Sequence, residues 1–401
     1  MRSFFDIVGF EYKKIFKRKS AIIAMIIVTV AVCLSPMMIF FGTVYIDGEP
    51  YESQYQAMVK DREYARALSG RAVDETLMRE AQEAYSKIPA GERYTATPEY
   101  QQYARPYSEV VRMMRAAYNI AGLSDLAGLT NEEMGDYYQV RHEIVTASIR
   151  AGAISDAAKD TLIKLDSEIK APFVFEYSDG FDNIIGGVYT LGIACAFALT
   201  ICFAPMFAGE YSSRADQLIL SSKLGKNKLI SAKLFTVISL FAAFFMLLIF
   251  LVVALCALIY GLDGANAPFQ LITPLDVFPI TLSQAVLLYG VSTFFGTFLI
   301  VAITLLLSSK FKSPFGVIIV ISVLLFAPMM FNSPETVVWL HNLLSLIPSN
   351  MMTYWTVFSR VPFGFFGLVV MPYVFLPIFA ILVSIAMLPF ARRAFQNHQI
   401  G

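Results

Sequence analysis

Long charge-free runs alternate with short charged segments along most of the chain. The first such run, residues 21–46, contains no Asp, Glu, Lys or Arg. A stretch of roughly 20 apolar residues is long enough to cross a bilayer as a helix. The pattern predicts an all-α integral membrane protein with six transmembrane helices, at residues 20–43, 183–208, 234–262, 283–308, 314–331 and 364–390.

Residues 44–180 interrupt this alternation, because they contain no apolar run that is long enough to span. Their apolar residues recur at helical spacing, as at Val73, Leu77 and Ala81. Thr130 and Glu133 have the spacing of a capping box that opens a helix through Ile149. We expect a mostly helical domain inserted between the first two spans.

Residues 1–19 have apolar positions near helical spacing, followed by a cluster of basic residues. This pattern predicts an N-terminal amphipathic elbow helix lying in the cytoplasmic interface. The alternative is a basic tail whose periodicity arose by chance. The basic cluster consists of Lys13, Lys14, Lys17, Arg18 and Lys19.

Residues 332–362 are apolar but too interrupted to form one clean span. They contain Trp339 and Trp355, the two tryptophans of the chain. Aromatic residues at this density indicate interfacial or re-entrant helices. A short tail, 391–401, follows the last span.

Charge predicts which side each segment faces. Of the 401 residues, 57% are apolar and 15% are charged, and the net charge is zero. The stretch from Val44 to Gly180 holds 23 acidic and 15 basic residues, a net charge of −8. Basic residues concentrate in short loops that remain cytoplasmic. We expect both termini to be cytoplasmic and residues 44–180 to be extracytoplasmic.

The loop at 209–233 carries five basic residues between two predicted spans. Its apolar positions, such as Leu218 and Ile219, indicate a partly amphipathic helix that is broken at Gly225. One interpretation is a plain connection whose lysines contact lipid headgroups. The other is a cytoplasmic helix that receives a soluble partner.

The order of residues in this loop resembles the loop after the second span of ABC-2 type transporter permeases. That pattern is a Glu at the membrane exit, a small pair, a Leu-rich helix, a turn with a basic residue, and a Lys opening the next span. Here these places are held by Glu210, Ala215-Asp216, Leu218-Ile219-Leu220-Ser221, Gly225-Lys226 and Lys233. Lys223 stands where many members have Pro, and Ala215-Asp216 where many have Gly-Thr, which obscures the subfamily and the cargo.

The resemblance implies half of a bacterial cell-membrane transporter, with a second permease half, identical or different, and two ATPase subunits that carry ATP and Mg²⁺. It also implies an elbow helix at residues 1–19 and a loop that binds the ATPase. Glu210 would hold the loop at the membrane exit, through Lys14 and Arg18. The implied coupling residues are Glu210, Arg214, Asp216, Leu218, Leu220, Lys223, Gly225, Lys226 and Lys233.

The sequence contains no signature of chemistry of its own. It has no Gly-x-x-x-x-Gly-Lys-Ser/Thr loop, no His-Glu-x-x-His and no Gly-x-Ser-x-Gly, and its four cysteines lie in apolar runs. We therefore expect no enzyme, no metal site, no cofactor bound by this chain and no nucleic-acid partner. Ionisable residues are missing inside the predicted spans, which argues against a proton- or sodium-driven carrier.

Two functions from different classes remain open. The first is an export permease for an amphipathic or apolar cargo such as a lipid, a peptide or a drug. The second is a membrane-anchored sensor or resistance protein whose acidic extracytoplasmic domain binds a cationic peptide. An integral-membrane enzyme is disfavoured, because paired carboxylates or His clusters are missing.

Overall fold

Helices dominate the protein, as the hydrophobic pattern predicts. In the part of the chain described below, β-structure is limited to two short hairpins and two isolated bridges. The computed structural model describes residues 2–46, 48–89, 91, 94–221, 225–331, 333–365 and 367–397, with the backbone alone at 2, 3, 225 and 226.

The chain divides into two compact units. The body unit comprises Met1–Ser35, Ile185–Ala254 and Leu288–Gly401, and the insert unit comprises Pro36–Ile184 and Leu255–Leu287. The helices up to the second long apolar helix are α1 Arg2–Phe16, α2 Lys19–Met37, α3 Gln54–Leu68, α4 Glu75–Tyr85, α5 Ser108–Tyr118, α6 Leu123–Gly128, α7 Asn131–Gly135, α8 Tyr137–Ala151, α9 Asp156–Ser167 and α10 Asp179–Phe203. Those that follow are α11 Ala208–Ser212, α12 Ala215–Ser221, α13 Ile230–Ile259, α14 Leu282–Ser308, α15 Pro314–Phe326, α16 Val338–Ser345, α17 Tyr354–Val357 and α18 Pro372–Gln396.

Five of the described helical segments are long and apolar enough to cross a bilayer. This length and composition are those of a multi-pass membrane protein. The five segments are Lys19–Phe40, Asp179–Met206, Asn227–Ile259, Leu282–Ser308 and Pro372–Gln396.

The segment predicted as a further span at 314–331 is shorter than the other five. Helix α15 ends at Phe326, and a 3-10 turn over Pro328–Met330 follows it. The whole apolar segment is Pro314–Met330. Proline has no backbone N–H to continue the α-helix. A segment of this length rises about 26 Å, less than the bilayer's hydrocarbon core of about 30 Å. The predicted count of six spans is therefore not confirmed.

Helix α15 packs by one stripe and leaves its other side exposed. Val317, Ile321 and Leu325 are fully buried in a cluster that includes residues of α10 and α14. On the other side, Phe315 and Val323 are exposed. An apolar stripe at i, i+4 and i+8 against neighbouring helices, with apolar residues outside it, is what a lipid-facing helix requires.

The segment predicted as interfacial or re-entrant reaches the middle of α14. The hydroxyl of Tyr289 donates to the carbonyl of Met352 at 2.7 Å, and Ser292 Oγ donates to the carbonyl of Met351 at 2.8 Å. Gly296 lies halfway along α14, and a Cβ at this position would be 3.2 Å from Met352 Cγ. Between α17 and α18, β3 Phe363–Phe365 and β4 Leu368–Val370 form an antiparallel hairpin.

The insert unit opens with a hairpin that the helical prediction missed. Strand β1 Thr43–Ile46 pairs antiparallel with β2 Glu49–Ser53. The α-helices α3 to α9 follow among the described residues of 54–167. Neither strand strictly alternates apolar and polar residues, so the period-2 pattern that identifies a half-buried strand is missing.

Capping positions the helices of the insert unit. Thr130 and Glu133 form the expected capping box, but the helix that begins there ends at Gly135. A separate helix then runs over Tyr137–Ala151, so the single helix predicted through Ile149 is corrected to two. Asp136 connects them with ψ near 9°, which departs from helical geometry.

Two buried arginines attach the rest of the insert unit to its helices. Arg105 pairs with Glu52 at 2.7 Å and with Asp61 at 2.6 Å. Arg141 pairs with Asp166 at 2.7 Å, and it also donates to the carbonyls of Pro274 and Asp276. These bonds fix the loop after α13 to the helical insert.

Candidate functional site

The loop predicted to bind a partner is largely helical. It consists of α11, α12 and a π-helical turn over Gly225–Leu229 that leads into α13. Between α11 and α12, Arg214 adopts a left-handed conformation with φ 56°. Such a residue breaks the α-helix, so the loop has a break at Arg214 in addition to the end of α12 at Ser221.

The loop has one exposed side and one buried side. Leu218 is 80% exposed, and Arg214 is exposed as well. Asp216 and Leu220, which the resemblance also assigned to partner binding, are buried. Leu218 is therefore accessible to another molecule, whereas Asp216 and Leu220 are not.

Three of the predicted coupling positions are described only in part. Lys223 lies outside the described residues. Gly225 and Lys226 are described by their backbone, which forms the start of the π-helical turn. Among the predicted coupling positions, the exposed side of the loop is therefore represented by Arg214 and Leu218.

A buried ion cluster lies beneath the loop, and Lys233 is its centre. Lys233 is fully buried near the start of α13. Its Nζ donates to Glu11 Oε2 at 3.0 Å, to Glu210 Oε1 at 2.8 Å and to the carbonyl of Met206 at 3.2 Å. Lys14 also forms an ion pair with Glu210. We call Glu11, Lys14, Glu210 and Lys233 the junction cluster, because they join α1, α11 and α13.

The charges of the junction cluster compensate each other. Burial by itself raises the pKa of Glu210, but attraction to Lys233 and hydrogen bonds from Lys14 and Lys233 outweigh it. The pKa of Glu210 therefore lies below its ordinary value, and the carboxylate is held ionised. Glu210 meets these two lysines and is buried, so its carboxylate is not presented to a partner.

The other members of the predicted basic cluster lie around this site. Lys13, Lys17 and Lys19 are exposed, as solvated lysines usually are. Arg18 is partly buried, and Glu210 and Glu11 attract its guanidinium, although burial lowers its pKa. Arg18 Nη1 has no hydrogen-bond partner among the described atoms. Of the five basic residues, Lys14 alone forms an ion pair in the described structure.

Helix α1 contributes one member of the cluster that the sequence analysis did not assign. Glu11 is 1% exposed, and it lies on the buried stripe of α1 between Val8 and Ile15. An acidic residue on an otherwise apolar stripe was the available signal. Such a residue requires a buried cation as its partner, and Lys233 supplies it.

The loop is also anchored to the end of α14. Ser308 is fully buried, and its Oγ donates to the carbonyl of Ala204 at 2.7 Å. The same Oγ accepts from the backbone N–H groups of Phe207 and Ala208, both at 3.0 Å. These bonds satisfy the backbone groups that are left free where α10 ends and α11 begins.

This arrangement connects the partly exposed loop to α1, α13 and α14. Glu210 of α11 bonds to Lys233 of α13, Lys233 also bonds to Glu11 of α1, and the start of α11 is held by Ser308 of α14. Comparisons of the chain with protein-family models, with curated proteins and with solved structures find no match.

Proposed function

We propose that the chain is the permease subunit of an ATP-driven exporter of the ABC-2 type. In this proposal α1 is the elbow helix, the segment 314–331 is one of six spans, and residues 44–180 lie outside the cell membrane of a bacterium. A second permease half completes the channel. The single observation that carries the proposal is the junction cluster, which connects an exposed loop helix to the membrane helices.

The proposed energy source is a separate ATPase with its own ATP and Mg²⁺. Leu218 and Arg214 form the surface that it contacts, and the buried Glu210 and Lys233 carry its movement to α1 and α13. The chain itself then supplies a path for an amphipathic or apolar cargo. The long apolar helices and the apolar exposed side of α15 are compatible with such a cargo.

The test begins with purification of the tagged chain from its native membrane in mild detergent. We expect a stoichiometric protein that carries a Walker A loop, and ATP hydrolysis that depends on the permease. Recovery of the chain alone, or with a kinase in place of an ATPase, would favour the sensor function.

Two matched variants sharpen this experiment. Leu218→Glu places a charge on the exposed side of α12, and Ile144→Glu makes the same change on the partly exposed side of α8. We expect Leu218→Glu to weaken ATPase association by roughly tenfold or more, because the new carboxylate would be buried in the interface without a partner. The Ile144→Glu variant should bind the ATPase as the wild-type chain does. Equal retention by the two variants would contradict the assigned surface.

A further inference from the structure

The insert unit contains an extended segment, residues 173–177, that is paired along one edge only. Val73 N donates to the carbonyl of Phe173 at 2.8 Å, and Phe175 N donates to the carbonyl of Arg71 at 2.8 Å. Gly70 N donates to the carbonyl of Phe175 at 2.9 Å. The side chains of Phe173 and Phe175 are buried, which fixes the segment in place.

The opposite edge of this segment is open. In an extended chain, successive residues direct their backbone N–H and C=O groups to opposite sides. The backbone groups of Phe173 and Phe175 bond to the paired side. The N–H and C=O groups of Val174 and Glu176 therefore point to the opposite side. Within the described residues these two make no backbone hydrogen bond, and Val174 is 47% exposed. An open strand edge is a template for another extended chain.

A cavity of about 470 Å³ lies along the open edge. Pro172, Val174 and Glu176 contribute one wall, and Pro268 and Ile280 belong to the opposite wall. Its volume falls within the range of roughly 300–1,000 Å³ that is typical of ligand sites. Eight of its fifteen lining residues are apolar, and the other seven are polar or charged.

Two further features lie at the border of this space. At Gly264 a Cβ would be 2.4 Å from the carbonyl oxygen of Tyr177, so this glycine lets the loop close onto the end of the segment. Gln270 lines the cavity and is 1% exposed, and its Oε1 accepts no hydrogen bond from any described group. A buried acceptor without a donor is costly unless another molecule supplies one.

We propose that the cavity binds a short, extended, cationic peptide that pairs with the backbone of Val174 and Glu176. The open N–H and C=O groups can pair with the backbone of a bound peptide, and the apolar residues of the lining can accept its alternate side chains. Glu168 and Glu176 outnumber Lys170 in the lining, and the stretch Val44–Gly180 carries a net charge of −8. Both facts favour basic residues in the peptide.

The test measures retention of synthetic peptides by the full chain, purified in detergent without any ATPase. The probe is a pool of blocked hexapeptides in which Val, Leu or Phe alternates with Lys or Arg. A second pool replaces the basic residues by Asp or Glu. We expect saturable retention from the basic pool alone. Failure to retain any basic peptide, or equal retention of the acidic pool, would overturn the proposal.

Backbone methylation of a retained peptide tests edge pairing without changing the protein. One derivative is N-methylated at its odd residues, and the other at its even residues. A peptide that pairs along one edge uses the N–H groups of one set, so one derivative should lose binding and the other should keep it. Equal binding of the two derivatives would contradict pairing with the strand edge.

A pair of variants locates the site on the protein. Val174→Pro removes the N–H of the open edge, where proline is tolerated in strands, and Val174→Ala keeps it. We expect about tenfold weaker binding for Val174→Pro than for Val174→Ala, the effect of one hydrogen bond. Equal affinities would place the peptide elsewhere. Peptide retention needs no ATPase, so its outcome is independent of the proposed transport function.

Discussion

The two units each contain a buried ion cluster, and the two clusters are built differently. In the insert unit, the guanidinium of Arg141 holds Asp166 at 2.7 Å and donates to the carbonyls of Pro274 and Asp276. In the body unit, the ammonium of Lys233 lies between Glu11 at 3.0 Å and Glu210 at 2.8 Å. Both central cations are almost completely buried.

The difference lies in how strictly each cation fixes its partners. A guanidinium presents a rigid planar fork of donors, so Arg141 specifies the position of each group that it holds. An ammonium is a compact point charge on a flexible stem, and it can share two carboxylates without one required geometry. The arginine cluster is suited to a static attachment, whereas the lysine cluster tolerates displacement of the elements it joins. This property agrees with the proposed transmission of movement from α11 and α12.

The largest effect in this comparison should come from Lys233→Met. The substitution leaves Glu11 without its partner and Glu210 with Lys14 alone. Removing one member of a buried ion pair costs about 3–5 kcal/mol, and we expect the free energy of unfolding to fall by this amount. Unfolding in mixed detergent measures it, and Lys228→Met at an exposed position is the control. If the free energy of unfolding fell by less than about 1 kcal/mol, the charges of the junction cluster would not compensate each other as described.

Arg141→Met should have the next largest effect, about 3 kcal/mol. Asp166 then keeps one contact, to His142 Nδ1 at 2.6 Å, so its charge is not left alone. Arg150→Met, at an exposed position on the same helix, controls for loss of an arginine. If Arg141→Met lowered the free energy of unfolding more than Lys233→Met does, the rigid arginine cluster would contribute more to stability than the lysine cluster.

The sequence predicted the large elements well, because their signals are long. Runs of more than 20 apolar residues identified the five long helices. The buried stripe at Leu77, Ala81 and Ala84 follows helical spacing, and the structure confirms it. The β1–β2 hairpin was not predicted because neither strand strictly alternates apolar and polar residues, so the period-2 signal is missing.

The candidate site was predicted in part. The sequence analysis identified three members of the junction cluster as candidate residues: Glu210, Lys14 and Lys233. It did not identify Glu11 of α1, which pairs with Lys233 of α13. Glu11 is separated from Lys233 by 222 positions, and only tertiary packing brings their side chains together. Burial of Glu210 and exposure of Leu218 likewise depend on which side of the loop packs on the body. The residue pattern of two short helices does not predict which side of the loop is buried.

The pH dependence of the junction cluster should be visible through Glu210→Gln. The pKa of Glu210 is lowered from its ordinary value of 4.5, so its ionised form stabilises the fold above that pH. The contribution is lost as the pH falls through the lowered pKa. We expect the stability gap between wild type and variant to be constant above pH 4.5 and to shrink below it. The free energies of unfolding of both proteins, measured at several pH values from 7 to 3, give this gap.

An exposed carboxylate provides the control for this experiment. Glu132 is exposed on α7, and Glu132→Gln should change the free energy of unfolding by at most about 0.5 kcal/mol at each pH. A Glu210 gap that grew as the pH fell would mean that the carboxylate is protonated in the folded state. The assigned ion pairs with Lys14 and Lys233 would then be incorrect.

The smallest effect compares two left-handed residues, one in each unit. Asn119 ends α5 with φ 52°, and Arg214 separates α11 from α12 with φ 56°. Asparagine visits this conformation readily, whereas the Cβ of most residues costs about 1–2 kcal/mol there. Glycine removes that cost but adds about 0.5–1 kcal/mol of backbone entropy to the unfolded state.

Arg214→Gly should therefore stabilise the protein by up to about 1 kcal/mol, and Asn119→Gly should be neutral or slightly destabilising. Paired unfolding measurements on the two variants test this difference. If Arg214→Gly gains stability but weakens ATPase association, the strained turn presents the arginine to the partner. If both glycine variants destabilise equally, Arg214 is not strained. The turn between α11 and α12 would then be as relaxed as the helix end at Asn119.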